Sequence, residues 1–145
     1  MLYSVEKIDK EHELYEPSVA MRRVELYPVG RVTRSYILDD QEDQSTLLVA
    51  LKNRKLLGCG RLTMQGDTVE LSHMVVGEEY RHTGVGSSLM EHFLQTSKDL
   101  GAKKIHLEVI PEAAGFFEQF GFVVVGEEKV LDLLDLPALD MEREL

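Results

Sequence analysis

The chain has 145 residues, 43% of them hydrophobic, and its 26 acidic and 16 basic residues give a formal net charge of −10. This length is typical of one domain, so we predict a single domain over residues 1–145. The negative charge argues against a nucleic-acid partner, because phosphate backbones are bound by clustered Lys and Arg. It fits a cationic substrate such as an amine, but many acidic proteins carry such charge only for solubility.

The sequence also argues against a membrane or secreted protein. No stretch approaches the roughly 20 apolar residues of a membrane span, and the first residues lack the basic-then-apolar layout of a signal peptide. The single cysteine, Cys59, excludes an internal disulfide and favours a reducing compartment. We therefore predict a cytoplasmic protein with no membrane contact. The five histidines show no metal-ligand spacing, so we predict no metal site.

Hydrophobic periodicity predicts the first elements in chain order. A short strand over residues 2–7 is followed by helical segments within about 11–27, interrupted near Pro17 and Pro28. Residues 39–45 form a polar, exposed loop. Strands over 46–52, 56–64 and 69–76 are joined by turns at 53–55 and 65–67.

The second half of the chain alternates helices and strands. The apolar stripe of the first helix, over residues 87–100, consists of Leu89, Met90, Phe93, Leu94, Ser97 and Leu100, and Gly101 ends it. A strand over 104–109, a short helix from Pro111 to Gly121, and strands over 122–130 and 138–143 complete the chain. Hairpins followed by strand–helix–strand units predict the α/β class, with a mixed, mostly antiparallel sheet and helices on both faces.

The most informative segment is Arg81-His82-Thr83-Gly84-Val85-Gly86, between strand 69–76 and helix 87–100. The order strand, glycine turn, helix directs free backbone N–H groups and the positive end of a helix dipole at one spot, which binds phosphate. Gly84 and Gly86 keep side chains away, so that a ligand can contact the backbone. The alternative is a turn whose glycines only allow close packing of the helix on the strand.

This segment resembles the acyl-CoA signature Gln/Arg-x-x-Gly-x-Gly/Ala of the GCN5-related N-acetyltransferases (GNAT). Residues 116–122, Phe-Phe-Glu-Gln-Phe-Gly-Phe, resemble the family's second landmark, a short helix ending in a Gly-Phe that starts the next strand. Residues 49–62 are similar to its first hairpin, and 136–142 to the last strand of some members. The resemblance covers residues 46–145 well and the first 45 poorly. It implies the GNAT-like acyl-CoA N-acyltransferase fold, with acetyl-CoA (coenzyme A) as cosubstrate.

The resemblance also implies which residues hold acetyl-CoA. On the strand these are Met74, Val75 and Val76. In the turn and at the start of its helix they are Arg81, His82, Thr83, Gly84, Val85, Gly86, Ser87 and Ser88, and in the second landmark Phe117. Because coenzyme A is polyanionic, its pocket needs local positive charge, for which Arg81, His82, Lys103 and Lys104 are candidates. The chain departs from the family at Glu78, often proline there, and at His82, often glycine.

The general base has several candidates. Glu70 lies eleven residues before Arg81, the spacing at which a glutamate is the base in some protein acetyltransferases of the family. A carboxylate held in an apolar sheet has a raised pKa, which suits this task, but Glu70 could equally be an exposed strand residue. His73 is the rival, with a suitable intrinsic pKa, and Glu108 is a third choice. On a regular strand Glu70 and His73 face opposite sides, so they share one site only if a bulge intervenes.

The general acid is where the chain departs most from the family. A tyrosine that protonates the coenzyme A thiolate commonly stands four residues before the Gly-Phe, and here that residue is Phe117. Tyr27, Tyr36, Tyr80 or water are the alternatives. Because Phe117 stands where the family commonly has tyrosine, a non-catalytic acyl-CoA-binding module remains an alternative to an enzyme.

We therefore predict an N-acetyltransferase in which a small-molecule primary amine attacks acetyl-CoA directly. A protein lysine or N-terminal amine is the nearest alternative acceptor, and a homodimer is kept open as a partner. Cys59 is interpreted as a small buried residue because no histidine stands near it in the sequence. Arg61 is either an ion-pair partner or part of the substrate cleft, and the role of Arg22 is open.

Overall fold

Seven strands form one mixed sheet in the computed structural model, which describes residues 3–26, 33–131 and 135–145. The strands are β1 (Ser4–Ile8), β2 (Thr46–Lys52), β3 (Lys55–Gln65), β4 (Thr68–Val76), β5 (Lys104–Val109), β6 (Val123–Leu131) and β7 (Leu136–Glu144). Their order across the sheet is β1-β2-β3-β4-β5-β7-β6. Of the pairs in this sheet, β4–β5 is parallel and the others are antiparallel. The predicted mixed, mostly antiparallel sheet is confirmed.

Helices cover both faces of the sheet, as predicted. They are α1 (Tyr15–Leu26), α2 (Arg34–Leu38), α3 (Val85–Asp99) and α4 (Ala114–Glu118). On one face, α3 buries Leu89, Met90 and Phe93 in a core with strand residues such as Leu71 and Ile105. On the other face, α1 and α2 contribute residues such as Val19 and Ile37 to a second core with β2 and β3. No helix in the described ranges is long and apolar enough to cross a bilayer.

A glycine in β3 lets α3 lie close to the sheet. A Cβ atom placed on Gly60 would stand 2.2 Å from the ring of Phe93, so only glycine fits beneath that ring. Most of the predicted stripe of α3 is buried, but Leu100 follows the helix and is 41% exposed. The helix thus ends one residue earlier than predicted, at Asp99, with Leu100 as its C-cap.

The N-terminal part departs most from the sequence prediction. Helix α1 runs through Pro17, which stands in its first turn, where a backbone N–H has no helical partner to lose. The predicted interruption at Pro17 was therefore wrong, while Pro28 lies outside the described residues. Helix α2 was missed, since five residues are too short for a periodic signal. The first strand ends one residue later than predicted, and Leu2 lies outside the described residues.

Two irregularities of β4 shape the centre of the sheet. Its pairing with β5 runs from Thr68↔Lys104 to Leu71↔Leu107 and then stops, although both strands continue. The two strands therefore part beyond Leu71. The pairing with β3 shifts by one residue between Cys59↔Val75 and Arg61↔Ser72, which indicates a β-bulge in β4.

Candidate active site

A cavity of about 1230 Å³ opens where β4 and β5 part. Pockets for one small ligand usually measure about 300–1,000 Å³, so this cavity has room for two substrates. It brings together most of the residues that the sequence singled out: Glu70, His73, Met74, Val75, Val76, Arg81, His82, Gly84, Gly86, Ser87, Glu108 and Phe117. Acidic side chains from α1, the end of α2 and the segment after β5 also line it, namely Glu25, Asp39 and Glu112.

Some of the predicted residues lie away from this cavity. In the part of the chain that is described, Thr83, Val85 and Ser88 do not line it. The Thr83 hydroxyl donates to the backbone carbonyl of Tyr80, and Val85 is fully buried in the core. The N–H of Ser88 donates to the carbonyl of Gly84 at 3.0 Å, which begins the helical hydrogen bonds of α3.

The two lysines expected to supply positive charge are also remote. Lys103 and Lys104 lie at the beginning of β5, next to the beginning of β4, whereas the cavity lies where these strands end. Lys104 Nζ instead pairs with Glu142 at 3.3 Å. The structure therefore does not place these two charges at the cavity.

The N-terminus of α3 presents open backbone to the cavity. Gly84 precedes the helix with φ 92°, a left-handed conformation that favours glycine. The N–H groups of Gly86 and Ser87, which line the cavity, belong to the first turn, so they have no acceptor inside the helix. A Cβ on Gly84 would meet nothing within 4 Å, and one on Gly86 would first touch the Phe116 ring at 3.4 Å. Exposed donors and the positive helix dipole fit an anionic group such as a phosphate.

The side chain of Arg81 is already engaged. Its Nη2 donates to Glu25 at 3.0 Å, and its Nε donates to the backbone carbonyl of Val76 at 3.2 Å. This arrangement anchors the turn to α1 and to the end of β4. The next residue, His82, has φ 62°, a left-handed backbone conformation that costs a non-glycine residue free energy.

The bulge in β4 lies at the cavity wall. His73 and Met74 together stand opposite Gly60, and His73 has φ 54°. After the bulge Met74 packs in the α3 core, while Val75 packs in the core beneath α1. The bulge brings His73 to the α1 side, where it lines the same cavity as Glu70. The bulge that Glu70 and His73 need in order to share one site is therefore present.

The surroundings of His73 leave it neutral. Arg22 Nη1 lies 3.2 Å from His73 Nδ1, and a guanidinium can only donate, so Nδ1 accepts and the ring proton is on Nε2. Burial, together with the charges of Arg61 and Arg22, lowers the pKa of His73 to about 3. His73 is thus a hydrogen-bond donor at Nε2, with its one lone pair occupied.

A buried ion-pair network supports His73. Both Nη atoms of Arg22 donate to Glu42, at 3.0 and 2.8 Å, and the Tyr15 hydroxyl donates to the same carboxylate at 2.9 Å. Arg61 donates to Glu42 at 3.1 Å and to both oxygens of Asp39 at 3.0 Å. Burial raises the pKa of Glu42, but these donors outweigh it and bring the pKa to about 2. Arg22 and Arg61 are therefore ion-pair partners behind the cavity wall. The prediction that residues 39–45 are an exposed loop was wrong for Glu42, which these two arginines hold in the interior.

Glu70 is held in a second cluster, built across four strands. His106 on β5 stands opposite Glu70, and its Nδ1 contacts the Glu70 carboxylate. Its Nε2 lies 2.9 Å from Oδ1 of Asp140 on β7. Lys129 on β6 binds Asp140 at 3.1 Å and also pairs with Glu108. Burial raises the pKa of Glu70, and the hydrogen bond from His106 offsets part of that rise.

His106 and Asp140 were missed by the sequence reasoning. They are separated by 34 residues, and His106 is separated from Glu70 by 36. The alternation of His106 and Glu108 on one strand was the available signal, since residues two apart share a face. It does not reveal which strands flank β5, and that order decides the partners of His106.

Phe117, the tyrosines considered as substitutes for it and Cys59 bear on the remaining chemistry. Phe117 is half-buried, lines the cavity and packs edge-on against Phe116, with ring centroids 5.1 Å apart. Of the tyrosines considered as substitutes, Tyr36 lines the cavity, whereas the Tyr80 ring contacts the Lys55 ammonium and Tyr27 lies outside the described residues. Burial raises the pKa of the Cys59 thiol to about 12, which keeps it protonated.

Comparison with known proteins gives consistent similarities. Residues 9–122 match the family described as "Acetyltransferase (GNAT) family". The "Uncharacterized N-acetyltransferase YjcF" of Bacillus subtilis (strain 168) is 28% identical over 107 residues, which are 74% of this chain and 76% of that protein. A putative N-acetyltransferase from Lactobacillus plantarum is 19% identical, with a TM-score of 0.83 over 100% of this chain and 99% of its own. An Elizabethkingia anophelis GNAT family acetyltransferase with acetyl-CoA bound is 15% identical, with a TM-score of 0.75 over 99% and 98%.

Proposed function

Because the chain belongs to the GNAT family of N-acetyltransferases, whose cosubstrate is acetyl-CoA, we propose that it acetylates the primary amine of a small molecule by direct attack. The observation that carries the proposal is the cavity between β4 and β5. It joins the open N-terminus of α3 to a wall that carries Glu70. Phosphate-binding donors and a carboxylate of raised pKa thus share one space.

In this proposal the turn and the end of β4 hold the cosubstrate. The free N–H groups at Gly86 and Ser87 bind the pyrophosphate, and the backbone of residues 74–76 binds the pantetheine arm where β4 has left β5. Bound acetyl-CoA supplies a thioester carbonyl as the electrophile. The direct route needs no enzyme nucleophile, and Cys59, buried and protonated, is not an activated one.

The acceptor amine occupies the side of the cavity next to Glu70. Five carboxylates line the cavity, those of Glu25, Asp39, Glu70, Glu108 and Glu112. Arg81, Arg61 and Lys129 pair with Glu25, Asp39 and Glu108, so the attraction for an ammonium group rests on Glu70 and Glu112. Glu70 takes the proton that makes the amine nucleophilic. His73 does not compete for this role, because its Nδ1 accepts from Arg22 and its Nε2 carries the proton.

An acetyl-CoA assay against a panel of amines tests the proposal. Small diamines and amino sugars are compared with lysine-bearing peptides and with peptides that have a free N-terminus, and products are identified by mass. We expect a small amine to gain one acetyl group with release of one thiol. Acetylation of peptides alone would move the acceptor to a protein amine. Tight acetyl-CoA binding with no thiol release for any amine would indicate a binding module.

Two further expectations remain predictions. A homodimer is testable by light scattering of the purified protein across a range of concentrations. A cytoplasmic location is testable by cell fractionation.

A further inference from the structure

We propose that His106, anchored by Asp140, is a positioning residue that holds the Glu70 carboxylate in place as the base that takes the proton of the amine. This rests on the proposed function, since it specifies how the base of that reaction is held. The feature that prompts it is an unbroken line of three side chains, Glu70–His106–Asp140, which begins in the cavity wall and leads away from the cavity.

The line is built into the sheet. Glu70 and His106 are register partners in the parallel pair β4–β5, and Asp140 on β7 pairs with Glu108, two residues beyond His106. Both ring nitrogens of His106 are engaged, so the plane of the ring is set by two carboxylates on opposite sides. The side chains of Glu70, His106 and Asp140 keep only 24%, 22% and 25% of their exposure. The orientation of Glu70 therefore depends on His106.

The hydrogen bonds define the protonation state of the line. An ionised carboxylate can only accept, so His106 satisfies both partners by donating from Nδ1 to Glu70 and from Nε2 to Asp140. Burial alone lowers the pKa of His106, but Glu70 and Asp140 raise it above its ordinary value. The ring therefore stands between the two carboxylates as an imidazolium.

Neighbouring charges keep Asp140 available as the anchor. Lys129 on β6 binds Asp140 on β7 and Glu108 on β5. Farther along β5 and β7, Lys104 pairs with Glu142. Burial raises the pKa of Asp140, but Lys129 and His106 lower it below its ordinary value. Asp140 therefore stays ionised opposite Nε2. The same logic operates where a carboxylate stabilises the imidazolium form of a catalytic histidine.

The proposed step conserves atoms and charge. The amine nitrogen forms a bond to the acetyl carbon while the carbon–sulfur bond breaks, and that electron pair leaves on sulfur. The proton lost by nitrogen moves to Glu70 and then to solvent through the cavity, while His106 keeps both ring protons. Glu70 returns to its carboxylate form for the next turnover.

Nuclear magnetic resonance tests the line without any substrate. The ¹⁵N shifts of the His106 ring are followed over pH in the wild type, Glu70→Gln, Asp140→Asn and the control Glu16→Gln. The control alters an exposed carboxylate on α1 that pairs with Arg34. We expect the pKa of His106 to fall in the first two variants and to stay at the wild-type value in the control. If the pKa of His106 is the same in the wild type, in Glu70→Gln and in Asp140→Asn, the proposal is overturned.

Kinetics then test the role in turnover. In His106→Asn and His106→Gln we expect kcat to fall about 10²-fold with the KM for acetyl-CoA unchanged, since the base is no longer held in place. The hydrogen bond and charge of His106 lower the pKa of Glu70, so the acid limb of the pH–rate profile should move to higher pH in these variants, which a merely structural change would not cause. Wild-type activity and an unchanged profile in a folded His106→Gln protein would sink the positioning role and leave the proposed function standing. A wild type inactive on every amine would end both the function and the positioning role, and the ¹⁵N titration would still show whether the three groups are coupled.

Discussion

The two ends of the cavity are built in opposite ways. The turn that precedes α3 lies within residues 81–88, and its ligand groups are backbone N–H groups that a strand, a glycine turn and a helix create locally. The line Glu70–His106–Asp140 uses side chains from three strands, with 36 and 34 residues between successive members. The first kind of site depends on backbone conformation, and the second depends on the order of strands in the sheet.

This difference determines what a substitution does at each end. At the turn, most side chains can change while the N–H groups remain, so only residues that alter the backbone or fill its open surface should matter. In the line, each side chain is the partner of another, so removing one leaves a half-buried polar group without its bond. The predictions below test this contrast, beginning with the largest expected effect.

Glu70→Gln should reduce kcat by about 10²–10⁴-fold, the usual contribution of a general base. Because the pKa of Glu70 is raised, the wild-type rate should fall as pH decreases through that pKa, where the carboxylate becomes protonated. The variant should lack this acid limb, while its affinity for acetyl-CoA stays the same. A pH–rate profile identical in the two proteins would remove Glu70 from the mechanism.

Glu42→Gln should destabilise the fold by about 3–5 kcal/mol, because it leaves the guanidinium groups of Arg22 and Arg61 buried without their shared anion. The pKa of Glu42 is depressed from 4.5 to about 2, so its stabilising effect is complete above pH 4.5 and is lost as pH falls towards 2. Urea unfolding at neutral and acidic pH measures both effects. The control Glu16→Gln breaks an exposed pair with Arg34 and should cost about 0–1 kcal/mol. Equal losses in the two variants would contradict this account.

Gly86→Glu should weaken acetyl-CoA binding by about 1.5–3 kcal/mol, equivalent to about 10- to 150-fold, because it places a negative side chain over the phosphate donors. The matched control is Gly86→Ala, whose Cβ would make an ordinary contact with Phe116 at 3.4 Å and add no charge. Calorimetric titration measures both affinities. If Gly86→Glu is folded and binds as tightly as the wild type, phosphate does not bind at this turn.

Phe117→Tyr should have the smallest effect, a modest rise in kcat or none. Phe117 already lines the cavity, so a new hydroxyl can reach solvent there, and the melting temperature should change little. Phe120→Tyr serves as control, since Phe120 also packs on Phe116, with ring centroids 5.3 Å apart, but does not line the cavity. A drop in melting temperature for Phe117→Tyr alone would show that Phe117 is a core residue whose added hydroxyl finds no partner.

Local patterns in the sequence predicted much of the fold. The strand over 46–52, the strand over 104–109 and the mixed sheet were confirmed, as was the family. These predictions succeeded because strand alternation and a helical stripe are patterns of residues that are close in the sequence. The missed features, α2 and the uninterrupted start of α1, lie in the first 45 residues. There the helices are short or begin with a proline whose effect depends on its position in the first turn.

The sequence by itself determined the glycine turn, because its conformation follows from Gly84 and from the helix that begins at Val85. Tertiary structure alone decided the partners of Glu70 and His73. The bulge that turns His73 towards Arg22 appears only when β4 is paired with β3, and His106 meets Glu70 only because β5 lies parallel to β4. Contacts between distant segments depend on which strands become neighbours, and that choice is made by the burial of both faces of the whole sheet.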